Sequence, residues 1–109
     1  MTHRRRLIVA VVIAGTIAGC GTGPGGNACD HFSHVIEDIN AGVLNEREIE
    51  LKLWEVYDHV RGTWENRFYD VRDASRDVYE LRASRGTDEW TDAVEELVEA
   101  CKTVHRSYG

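Results

Sequence analysis

Beyond Pro24 the chain has no proline, and no stretch alternates apolar and polar residues with period two. From there to the last residue the only interior glycines are Gly25, Gly26, Gly42, Gly62 and Gly86. A chain patterned in this way has no strand signal and few helix breakers, so helices must bury its apolar residues. Cys29, Phe32, Val35, Ile36 and Ile39 recur at helical spacing, and Gly42 ends that first segment. Asn45 is the expected cap, Glu48 is expected to close a capping box, and Leu44 is placed to staple onto Ile49. The second stripe runs through Ile49, Leu53, Val56, Tyr57 and Val60 until Gly62-Thr63 interrupts it.

Thr63 is the expected N-cap of a third helix carrying Trp64, Phe68, Val71, Val78 and Tyr79 on one face. The alternative is one bent helix across both segments. Gly86 is expected to close the third helix and Thr87 to open a fourth, with Asp88 and Glu89 in its first turn. Trp90, Val94, Leu97, Cys101, Val104 and Tyr108 then repeat close to every 3.6 residues. The expected fold is all-α, a small up-down-up-down four-helix bundle over residues 28–109.

The amino-terminal residues carry a different message. Arg4-Arg5-Arg6 precede an apolar run from Leu7 to Ile17, which Ile17-Ala18-Gly19-Cys20 closes. A positive n-region, a short apolar core and small residues before a cut make an export signal, and the run is short for a spanning helix of about 20 residues. This stretch resembles the lipobox of bacterial lipoproteins. The resemblance implies a signal peptide over 1–19, lipid on the Cys20 thiol, and localisation on the extracytoplasmic face of the cell membrane, with palmitate-type chains as anchor. An ordinary secretory signal, or a marginal signal anchor, is the alternative. Residues 20–27 then read as the lipidated cysteine and a flexible Gly-rich linker.

With Cys20 assigned to lipid, Cys29 and Cys101 remain as a pair in an oxidising compartment. Two free buried thiols are the other reading. A bundle of four alternating helices brings the start of the first beside the end of the fourth, where these cysteines fall. A three-helix bundle would separate them. In the chain-entropy account so long a closed loop contributes about 4 kcal/mol.

Residues 1–19 hold three arginines and no acid, so the 90 residues after them carry 10 basic against 19 acidic side chains, a formal charge of −9. Such a body is repelled by nucleic acid and by anionic headgroups, and neither is an expected partner of the folded domain.

Ala28-Cys29-x-x-Phe32, Leu53-x-Glu55-Val56-Tyr57, Ala74-x-Arg76-Asp77 and Ala100-Cys101 together resemble a group of small exported helical proteins from actinobacteria and their phages. The resemblance covers residues 28–104 and brings no activity with it. Its phage side implies, by analogy, a prophage-encoded lipoprotein that excludes superinfecting phages.

Chemistry-bearing patterns are sparse. His31 and His34 stand at i, i+3 with Glu37 one turn on, and Glu55 and His59 stand at i, i+4. His31 and His34 are the metal-ligand candidates of a metal-binding or sensory lipoprotein, against a solvated helix face. The Glu-x-x-His pairs of a di-iron bundle, Cys-x-x-Cys, a phosphate loop and a nucleophile elbow are all absent from the sequence. No catalytic residue, no cofactor and no enzyme activity are expected. Leu51, Trp54 and Asp58 fall off the buried stripe of the second helix, and an outward Trp is a usual interface anchor. The competing reading folds the third helix or the 40–45 loop over them. Asp88, Asp92, Glu95, Glu96 and Glu99 line the outer face of the last helix, as a solvated stripe or as a receiver for a basic partner. The first expectation for function is a membrane-anchored interaction module whose partner is an envelope protein.

Overall fold

A computed structural model describes residues 23–108, with side chains through residue 104. Cys20, the export signal of residues 1–19 and the side chain of Tyr108 lie outside the described residues. The chain forms four α-helices, α1 (Gly23–Ala41), α2 (Glu46–Asp58), α3 (Tyr69–Glu80) and α4 (Asp88–Tyr108), with short 3-10 turns at Asn66–Phe68 and Arg82–Ser84. There is no strand among the described residues. Each helix packs on its chain neighbours, and α4 closes the ring on α1. The fold is the expected all-α bundle, and α2 and α3 are separate helices.

The stripes read from the sequence form the core. Phe32, Leu53, Val56, Val60, Phe68, Val71, Val78 and Leu97 are buried almost completely, and Ile39, Leu44 and Tyr79 pack partly buried against them. Cys29 and Cys101 are joined by a disulfide, with Cα atoms 5.8 Å apart across 72 residues of sequence. It ties α1 to α4 inside the core, where both cysteines are buried.

Local chemistry sets the helix ends. Gly42 takes φ +73°, and the Gly42 and Val43 amides donate to the carbonyls of Ile39 and Asp38. That is a Schellman closure, which favours glycine at the left-handed position. At the start of α2 the Asn45 side chain accepts from the Glu48 amide at 2.8 Å, and the Glu48 carboxylate accepts from the Asn45 amide at 2.9 Å. Thr87 opens α4 as expected, its hydroxyl accepting from the Trp90 amide and donating to the Ser84 carbonyl.

Three expectations are corrected. The linker expected over residues 20–27 is helical from Gly23 onward, and Gly25 and Gly26 are buried. Pro24 sits in the first turn, where no amide hydrogen is needed. Gly25 faces the Phe68 ring so closely that a Cβ would lie 2.3 Å from its Cδ1. Glycine is there for close approach, not for freedom.

The third helix begins later than expected. The Thr63 hydroxyl accepts from the Glu65 amide at 3.3 Å, which makes a local turn instead of a helix cap. Glu65 is extended, a 3-10 turn follows, and Trp64 is 83 % exposed, off the core face. At the far end α3 stops at Glu80, so Gly86 (φ +94°) shapes the turn into α4 and does not close α3.

Candidate interaction surface

On α2, Leu51 (46 % exposed) and Trp54 (39 %) face outward beside exposed Asp58. Helix α3 covers them only in part. Tyr79 and Tyr57 meet the Trp54 indole in edge arrangements, with centroids 5.5 and 5.7 Å away. The Arg61 guanidinium lies 5.6 Å from the Trp54 ring centroid, and Arg82 lies 4.2 Å from that of Tyr79. These cations are themselves held, Arg61 by Asp58 and Arg82 by Glu50. The Asp58 contact raises the Arg61 pKa above its ordinary value. The result is a shallow aromatic patch framed by fixed guanidinium groups, the composition that dominates binding energy at protein interfaces. Nothing in the sequence marks Arg61 or Arg82 for this patch, and Tyr79 reads there as part of the core stripe, which it only edges.

His31 of the first pair meets both members of the second, Glu55 and His59. Nδ1 of His31 is 3.4 Å from Nε2 of His59, and Nε2 of His31 is 3.5 Å from Oε1 of Glu55. A ring nitrogen can accept only while it keeps its lone pair, so the hydrogen bond requires at least one neutral imidazole. Burial holds His31 below the ordinary histidine range; Glu55 opposes this, while His59, Lys52 and His34 add to it. Sequence spacing pairs these residues along each helix, whereas the polar contact runs across from α1 to α2. Among the described residues, no group of three or more His, Cys, Asp or Glu side chains is placed to hold a metal ion.

The acidic stripe has a second wall. Asp92, Glu95, Glu96 and Glu99 of α4 line a groove of about 670 Å³ together with Asp70, Asp73 and Asp77 of α3. Asp88 is not part of its lining. Three of these acids are paired, Asp73 with Arg72, Asp77 with Arg76 and Glu99 with Lys102. A smaller cleft of about 200 Å³ lies where Ile36, Ile39, Trp90 and Val94 meet Arg85. Among the described residues, no helix is long and apolar enough to cross a membrane.

Compared with family models, curated proteins and solved structures, the chain has no match.

Proposed function

We propose that this protein is a lipid-anchored extracytoplasmic module that acts by protein–protein contact, without catalysis, through the Leu51–Trp54–Asp58 face of α2. Lipid on Cys20 holds it at the membrane, and an envelope protein is its partner. The observation that carries the reading is the half-exposed Trp54 indole, kept in place by Tyr57, Tyr79 and Arg61. A large aromatic ring already fixed in the free protein loses little freedom on binding. Anchoring supplies the rest, because confinement near a membrane partner raises its effective concentration and lets a modest contact suffice.

The anchor is tested by Cys20→Ala, which is expected to move the protein out of the membrane fraction. Retention of the variant as firm as that of the native protein overturns the lipid anchor. The contact face is tested by cross-linking and capture from detergent-solubilised membranes with native protein, Trp54→Ala and Leu51→Ser. Partners recovered with the native protein and lost with both variants support the face. Equal recovery from all three removes it.

A further inference from the structure

Trp64 is the most exposed large apolar side chain among the described residues, at 83 %. It lies in the α2–α3 connection, flanked by Arg61 and Arg67, and the Tyr69 hydroxyl donates to its carbonyl at 3.1 Å. Four residues further on, the Phe68 ring packs on Gly23 and Gly25, the first turn of α1. The Trp64 loop and the start of α1 therefore share one end of the bundle. Cys20 precedes Gly23 by three residues, which extended backbone spans in at most about 11 Å. A lipid on Cys20 would hold this end, and not the flank or the far end, against the bilayer.

We propose that Trp64 seats in the headgroup region of the membrane and orients the bundle upright on its anchor. The inference rests on the lipid anchor of Cys20 given above. The chemistry of the occupant follows from the loop. An indole with one polar edge favours the water–bilayer boundary, where tryptophan is enriched in membrane proteins. Arg61 is paired with Asp58 and Arg67 with Glu65, so the tip presents no excess positive charge for anionic lipid. The guanidinium of Arg67 also lies over the Phe68 ring, 4.6 Å from its centroid, so this charge is held against the protein's own aromatic ring as well as by Glu65. The acidic groove between α3 and α4 disfavours anionic lipid further. A zwitterionic bilayer is the matching surface.

The test uses the full lipidated chain, purified from membranes and reconstituted into phosphatidylcholine vesicles, with or without bromine near the top of the acyl chains. Flotation reports the anchor, and bromine quenching of tryptophan emission reports the contact. Trp64 is one of three tryptophans, beside half-exposed Trp54 and buried Trp90. Partial quenching is expected in the native protein, kept in Trp54→Phe and lost in Trp64→Ala with circular dichroism unchanged. Protein that floats but is not quenched, or equal quenching in Trp64→Ala, overturns the Trp64 contact and leaves the anchor standing. Protein that does not float overturns the anchor and the contact together.

Discussion

The two ends of this bundle are held by different kinds of force. At the end where α1 begins, the Phe68 ring lies on Gly25 and a disulfide joins α1 to α4 a turn further in. These are dry, buried and long-range contacts. At the opposite end, polar groups near the surface do the holding. Asn45 and Glu48 cap α2, Thr87 caps α4, and Arg82 and Arg85 reach from the α3–α4 connection to Glu50 and Glu46. The Arg85 hydrogen bond lowers the Glu46 pKa. The difference teaches that loss of one contact at the packed end is felt through the core, whereas the capped end shares its load among several replaceable bonds.

The largest test of that contrast is removal of the disulfide. Cys29→Ser with Cys101→Ser is expected to cost about 4 kcal/mol, because closing so long a loop restricts the unfolded chain strongly. Denaturant unfolding measures it; a loss as small as that of a surface substitution would mean that packing alone secures this end. Next comes Gly25→Ala. A methyl group there must displace the buried Phe68 ring, with an expected cost of about 1–3 kcal/mol typical of overpacking. An unchanged unfolding midpoint would show that the contact yields easily.

At the capped end, Asn45→Ala is expected to cost about 1 kcal/mol, the usual worth of an N-cap. A cost exceeding that of Gly25→Ala would reverse the ranking of the two ends. The smallest effect concerns pH. His31 has a folded-state pKa below its unfolded value, so keeping it neutral contributes stability that is complete above about pH 6.5 and is lost as pH falls through the folded value. Melting temperatures recorded from pH 7.5 down to 5.5 are expected to fall in the native protein and to fall less in His31→Gln. Parallel curves would remove His31 as the cause.

Much of the capped end is legible in the sequence. Asn45, Glu48, Gly42 and Thr87 act on backbone groups within five residues of themselves, so their chemistry lies in adjacent letters of the chain. The same locality misleads at Thr63, whose hydroxyl makes the tighter turn to Glu65 instead of capping a helix. It misleads more at Gly25 and Gly26, where a Gly-rich run has the composition of a linker but carries a distant phenylalanine on its surface. Leu51 and Trp54 are legible as outward positions because they fall off a periodic stripe. The aromatic and cationic frame around Trp54 is not, since Tyr79 and Arg82 come from another part of the chain.

The sequence by itself determined the helical class and the cap at α2, and it favoured four segments and a Cys29–Cys101 pair, both of which the structure then decided. Periodicity and capping are properties of neighbours along one helix, and four alternating helices bring Cys29 beside Cys101 where three would separate them. Tertiary structure alone decided that α1 extends back to Gly23, that His31 meets Glu55 and His59 across two helices, and that two acidic faces form one groove. The first depends on a distant Phe68 ring packing on Gly25, and the other two on the rotation of one helix about its axis relative to another. That angle is set by how side chains interlock in the core, and no short stretch of sequence encodes it.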